Sequence, residues 1–470
     1  MKTQKCGIFV LVLFWGTASL FAANHFVRSG AAGSATGADW TNASTNLPTA
    51  LTRGDTYYVA DGNYTSHTFA DAESGNLVIT IKKATKADHG TDIGWQDSYG
   101  SGQAVLGSLV SITKGFYVID GNGTNMIPNN HSENFGFKIA SASTNNWGGI
   151  IALVASNVTL RFMHVYNASN GDVNNGTVGL RYTGDANYIK VQNCLLENCG
   201  KDGIQISKAK FLLFENNYIK RYGMLRALSP DYHGQTVQMF YGGSDIIFRN
   251  NVWESNEGQG LVSFGASNTT NSNFRFYGNV VFVPTGTRTG YGFNGTGGLI
   301  GNGWTGAVIS NFYVYNNTFV NINKASSMSS NNAASFFMRS TNTTSMFTYN
   351  NLYYNCENVA IGTAWTAGYM AAGGLSAPGQ PNEQTGLSSG IFADYAGNNF
   401  SLALGTSPGL ILAAQDWWDS SADSFFGQRD SSIDMSGKTR GADGVWDRGA
   451  FEYRKSTLPA APSGLRRVTP

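Results

Sequence analysis

The sequence predicts an all-β solenoid in which short strands wind through stacked, bent rungs. Three observations lead there: one apolar pattern recurs seven times, an asparagine holds a fixed place within it, and helix-length periodicity is absent. With a corner residue as position zero, apolar side chains fall five and three residues before it and two residues after it. The copies read Val158, Leu160, Met163, Val165, then Ile189, Val191, Cys194, Leu196, then Leu212, Phe214, Asn217, Ile219, then Ile246, Phe248, Asn251, Trp253. They continue as Phe274, Phe276, Asn279, Val281, then Phe312, Val314, Asn317, Phe319, then Met346, Thr348, Asn351, Tyr353.

Apolar residues at period two mark a strand with one buried face, and the switch from odd to even offsets marks a corner where a new strand begins. Copies lie about 23 to 38 residues apart. That is the range of a unit that cannot bury its apolar side alone and stacks on copies of itself. Stacking places equivalent residues about 4.8 Å apart. An asparagine at each corner, Asn217, Asn251, Asn279, Asn317 and Asn351, then bonds to the amides above and below and to backbone groups freed by the bend. Corner asparagines, short strands and irregular outer loops resemble the single-stranded right-handed parallel β-helix of secreted pectate-lyase-like proteins. The resemblance covers roughly residues 110 to 395 and implies that architecture.

Along the chain, residues 1–23 have the layout of a secretory signal peptide: Lys2 and Lys5, an apolar run from Ile8 to Trp15, then small residues. An exported mature protein is expected, and later apolar runs are too short to span a bilayer. Residues 24–109 are assigned to an N-terminal cap and first rungs, 110–395 to the β-helix, 396–454 to a C-terminal cap and 455–470 to a flexible tail. Caps are needed because a bare terminal rung would template association. The opening HFVRSGAAGSATGADWTNASTNLPTALTRGDTYYVADGNYTSHTF resembles β-helix proteins in which a short helix and the first strands close that end. Cys194, Cys199 and Cys356 form no disulfide framework or zinc spacing; they read as buried small residues, with a Cys194–Cys199 bridge as the alternative.

Charged residues make up 13% of the chain and the formal net charge is +1, which excludes the concentrated basic face that nucleic acid or an anionic membrane requires. A β-helix has no built-in pocket, so function has to be sought in outward side chains of one sheet and its flanking loops. The segments VGLRYTGD, KDGIQISKAK and HGQTVQMFYGG fall in register and place Arg181, Gln205 and Gln238 outward, one per rung. Just upstream lie Lys201, Asp202, His233, Gln235 and Glu257, and the insert RYGMLRALSPDYHGQ adds Arg226 and Asp231. Lys190, Arg249 and Arg275 alternate with inward residues and read as a solvated face.

This gathering suits a polysaccharide lyase acting on a uronate-containing polymer. β-Elimination needs a cation to neutralise the carboxylate, a base for the α-proton and an acid for the leaving oxygen. Arg181 or Arg226 would neutralise, and Lys201 or His233 would be the base. Gln205, Gln235 and Gln238 would bind substrate, and Asp202, Asp231 and Glu257 would hold Ca²⁺ through oxygen ligands. A glycosidase using Asp202 with Glu257 as paired carboxylates, or a non-catalytic glycan-binding or adhesin protein, are the alternatives. A monomer with a polysaccharide as its partner is expected.

Overall fold

The computed structural model describes residues 22–107, 110–123, 135–141, 149–167, 178–184, 186–198, 202–220, 235–254, 260–266, 268–284, 299–302, 305–322, 336–338, 340–357, 359–376, 378–403, 433–442 and 446–453. Three parallel sheets run side by side along the chain. The first has twelve strands and runs from Asn24–Val27 to Thr366–Gly368. The second also has twelve, from Gly62–Tyr64 to Gln384–Leu387. The third has nine, from Thr68–Phe69 to Phe336–Met338. Each turn passes from the third sheet to the first and then to the second, as in Ile204–Ile206, Lys210–Glu215 and Tyr218–Lys220. This winding is a parallel β-helix.

Its interior is the apolar stripe of the repeat. Val158, Leu160, Met163 and Val165 and their counterparts up to Tyr353 lie in one continuous core. Aromatic rings run through it, with Phe214 and Phe248 stacked 4.6 Å apart and Phe274 and Phe312 tilted against each other at 5.2 Å. Cys194 and Cys356 are buried free thiols, and burial pushes both up to about 12; Cys199 lies outside the described residues.

The corner between the first and second sheets explains why asparagines come in pairs. The first member takes the left-handed conformation that makes the bend, with φ between 53° and 66° at Phe162, Asn193, Asn216, Asn250, Gly278, Asn316 and Asn350. Asparagine tolerates this region because its short amide bonds locally, whereas bulkier residues strain in it. At Gly278 a Cβ would lie 2.3 Å from Asn250 Oδ1, so only glycine fits there. The second member turns inward. Asn217, Asn251, Asn279 and Asn317 each donate from Nδ2 and from the backbone N–H to Oδ1 of the next asparagine, at 2.9 to 3.1 Å. Each Nδ2 also reaches a backbone carbonyl of the rung below, from Val191 to Phe276.

A second left-handed row lies six residues before each zero position, at Asn157, Tyr188, Phe211, Asp245, Asn273, Asn311 and Ser345, with φ from 55° to 59°. Here the residue types vary, so the apolar pattern alone does not reveal the bend.

The N-terminal end departs from expectation. Residues 22–107 contain one 3₁₀ turn, Asp97–Gly100, and no α-helix, so the expected short capping helix is absent. Phe26, Trp40, Ala43, Ala60 and Ala84 form a small separate core there. The closing segment packs along the side of the solenoid. Phe392, Phe400, Leu402, Met435, Ala450 and Phe451 cover Val252, Val280, Phe282, Val320 and Leu352 on the outward face of the second sheet. Ala450 donates its N–H to Thr318 Oγ1 at 2.9 Å, and Gly449 donates to the Asn350 carbonyl at 2.8 Å.

Candidate functional site

On the third sheet the register pairs Ala152 with Arg181, Arg181 with Gln205, Gln205 with Gln238 and Gln238 with Ser263. Stacking therefore aligns Arg181, Gln205 and Gln238 in one outward row. Gln205 Nε2 donates to Gln238 Oε1 at 2.9 Å, and Gln205 is only 6% exposed, so at this rung the row is an enclosed amide ladder. Asp202 is fully buried and its Oδ1 accepts the Gln235 N–H at 2.9 Å; Gln235 is buried as well. An aspartate in that position ties two rungs together. Lys201, Arg226, Asp231, His233 and Glu257 lie outside the described residues.

The expectation of a solvated face at Arg249 is overturned. Arg249 is buried and its Nε donates to Glu215 Oε1 at 2.9 Å, while Gln192 Nε2 donates to Glu215 Oε2 at 2.8 Å. The Asp120–Arg161 pair, at 2.7 Å, continues this row toward the N-terminus. The Arg249–Glu215 pair is buried, so desolvation offsets much of its Coulomb gain, whereas Arg161 is partly exposed.

A second cluster stands on the outward face of the second sheet, at positions one and three residues after each corner. His164 pairs in register with Lys138 and Leu195, Tyr166 with Glu197, and Glu197 with Lys220. His164 Nε2 lies 3.2 Å from Glu197 Oε2, and Lys220 Nζ lies 3.3 Å from Glu197 Oε1. The Lys138 ammonium sits 5.1 Å from the Tyr166 ring centre, and the His164 and Tyr166 rings are 5.6 Å apart. Burial raises the Glu197 carboxyl, but the His164 hydrogen bond and the Lys220 and His164 charges outweigh it and hold the group below its usual value. Ionised Glu197 thus favours the imidazole tautomer with hydrogen on Nε2, which leaves the Nδ1 lone pair available. Among the described residues Nδ1 has no hydrogen-bond partner, and neither does the Tyr166 hydroxyl.

Reading only the inward offsets misses this cluster. The signal was present in MHVYN, LLE and YIK, the strands that follow the corner, whose alternate residues carry imidazole, phenol, carboxylate and ammonium. No group of three or more His, Cys, Asp or Glu able to hold a metal occurs among the described residues. Asp202, sealed and bonded to Gln235, does not by itself fit a Ca²⁺ ligand set.

No family model and no curated protein matches the sequence. Among solved structures, the chain is similar to an alginate lyase from Paenibacillus sp. str. FPU-7, at 12% identity and a TM-score of 0.35, over 73% of this chain and 99% of that one. A PL6 alginate lyase in complex with a trisaccharide matches at 11% identity and a TM-score of 0.30, over 74% and 85%. The catalytic unit of a GH87 α-1,3-glucanase from Streptomyces thermodiastaticus strain HF3-3 matches at 12% and 0.29, over 75% and 62%.

Proposed function

We propose that this chain is an exported polysaccharide lyase that cleaves a uronate-containing polymer by β-elimination at the Lys138, His164, Tyr166 and Glu197 cluster. One observation carries the reading: an imidazole oriented by a carboxylate, a phenol and an ammonium lie on adjacent strands in a chain where only 13% of residues are charged. The Lys138 ammonium neutralises the substrate carboxylate, which acidifies the adjacent α-proton. His164 Nδ1 takes that proton as the C–H bond breaks. The electron pair forms the carbon–carbon double bond, the bond to the leaving oxygen breaks, and the Tyr166 hydroxyl protonates that oxygen. Glu197 touches no reacting atom in this scheme; it positions the ring and stabilises the imidazolium.

A hydrolase would need two carboxylates flanking the scissile bond with room for water. Both oxygens of Glu197 are already engaged, by His164 and by Lys220, which favours elimination. The third-sheet assignment is the competing locus. There Lys201 or His233 would be the base, Arg181 or Arg226 the neutralising cation, and Asp202, Asp231 and Glu257 the Ca²⁺ ligands. A non-catalytic glycan-binding function is the remaining reading; the enclosed Gln205–Gln238 ladder, whose amides bond to each other, weighs against chemistry at that row.

Screening the mature protein against uronate polymers, at the absorbance of the unsaturated product, tests all three readings. Loss of turnover in His164→Ala with retention in His233→Ala supports the second-sheet site. The reverse result moves the chemistry to the third sheet, and no cleavage of any uronate polymer leaves the binding function.

A further inference from the structure

Where the third sheet hands the chain to the first, a groove of about 580 Å³ opens, lined by Lys208, Lys210, Tyr241, Ser244, Asn268 and Thr270 among others. It lies at the C-terminal ends of the third-sheet strands Ile204–Ile206, Val237–Met239 and Val262–Phe264. Lys208 and Lys210 are exposed, and among the described residues neither ammonium has an acidic partner. The neighbouring carboxylate, Asp245, accepts a hydrogen bond from Asn273 Nδ2 at 2.9 Å. Tyr241 is 54% exposed, its ring held edge-on by Phe240 at 4.6 Å.

The floor is backbone. A Cβ on Gly242 would lie 2.4 Å from the Thr270 carbonyl oxygen, and one on Gly243 would lie 2.9 Å from that of Ala209, so the two glycines keep the groove open and close to the main chain. A hydroxyl row leads away from it. The register pairs Lys210 with Ser244, Ser244 with Ser272, Ser272 with Ser310 and Ser310 with Thr344. Successive groups are about 4.8 Å apart along the solenoid axis.

We propose that this groove is a non-catalytic binding site for a carboxylate-bearing saccharide chain lying along the solenoid axis. Two ammoniums with no acidic partner among the described residues select an anion. The exposed Tyr241 face offers the flat apolar surface on which the C–H side of a sugar ring packs, and the serine and threonine row takes the sugar hydroxyls. A phosphate or a small metabolite would use the ammoniums but leave the ring and the hydroxyl row idle. The proposal does not rest on the acid–base reading of the second sheet, since it concerns a different corner and predicts affinity and not turnover.

The test is calorimetric titration of the full mature protein with pentagalacturonate, with cellopentaose as the neutral control and a sulfated pentasaccharide as the alternative anion. It is run in the wild type, in His164→Ala, in a Lys208→Gln, Lys210→Gln double variant and in Tyr241→Ala. The acidic pentamer should bind more tightly than cellopentaose and weaken with added salt. The lysine pair should matter by about tenfold in Kd and Tyr241 by several-fold, since exposed ion pairs each contribute modestly. The lysine-pair and Tyr241 effects should be the same in the His164→Ala background, where cleavage adds no heat. Equal affinity for the neutral pentamer, unchanged Kd in the lysine double variant, or no acidic binding at all overturns the site. Tighter binding of the sulfated chain overturns the carboxylate assignment.

Discussion

The outward face of the second sheet has two halves with one backbone and opposite chemistry. In the half toward the N-terminus the row reads Tyr166, Glu197, Lys220, Glu254; in the half toward the C-terminus the same row continues as Phe282, Val320, Tyr354. The parallel row runs from Lys138 and His164 to Val252, Val280 and Leu352. What separates them is cover. Phe282 and its neighbours meet Phe400, Met435 and Ala450 of the closing segment, and apolar burial stabilises that contact, whereas the charged half keeps reactive groups. The rung leaves the outward positions uncommitted, and the rest of the chain decides which become core and which remain available for chemistry.

The sharpest way to separate the halves is to disable each in turn. His164→Ala should lower kcat on a cleaved uronate polymer by about 10² to 10⁴-fold while the melting temperature stays near that of the wild type. Phe400→Ala, on the covered half, should do the reverse: a loss of roughly 3 to 5 kcal/mol in stability with kcat unchanged on the protein that remains folded. A charged half that merely braces the sheet would show His164→Ala melting early with normal kcat, and the comparison would then fail.

Asn251→Leu lies under neither half. It leaves the Asn217 N–H and the Phe214 carbonyl without the Asn251 amide, takes one of two acceptors from Asn217 Nδ2, and removes the Nδ2 donor from Asn279 Oδ1, which keeps the residue 251 N–H. The expected cost is about 1 to 3 kcal/mol for each stranded group, read from denaturant unfolding, with activity per folded molecule preserved. Unchanged stability would show that the amides are replaceable packing.

Smaller effects follow from pH, and the halves should differ in sign. Glu452, within the closing segment, is pushed by burial from 4.5 to about 7, against the Gly441 and Asp447 N–H groups and the Arg440 charge that lower it. In that window the folded state holds a proton that the unfolded chain has released. Its contribution is therefore full below the unfolded value and lost as pH rises through about 7. With the intrinsic base-catalysed rise divided out, the protection factors of residues 433–442 and 446–453 should fall from pH 5 to 8, and Glu452→Gln should flatten that fall. Glu197 has the opposite shift: its contribution is present above the ordinary glutamate value and lost as pH falls through its depressed one. Glu197→Gln should remove that acid-side loss, and an unaltered acid limb would dissociate Glu197 from His164 and Lys220.

The rung was legible in the sequence because it is local and repeated. Period-two apolar residues and an asparagine at the corner report geometry that each strand imposes on its own side chains. The same logic placed Arg181, Gln205 and Gln238 in one row. The pairing of asparagines was legible only in part: position zero marks the amide that points inward, whereas the left-handed residue before it is a backbone requirement met by asparagine, glycine and even phenylalanine. The six-residue-earlier bend, where tyrosine, serine and aspartate also serve, left no repeated residue type to notice.

Outward positions are different in kind. Gln205, Asp202 and Arg249 are polar and, by alternation or by place in a turn, looked available, yet tertiary structure encloses all three. Tyr166, Glu197 and Phe282 share one register row, yet only the last lies under the closing segment, which returns from more than a hundred residues downstream. The sequence by itself determined the winding, the core and the corners, since those follow from interactions between neighbours in the chain and copies of one unit. Tertiary structure decided which outward side chains meet water, each other or the returning chain, because that depends on contacts whose partners are distant in sequence and obey no period.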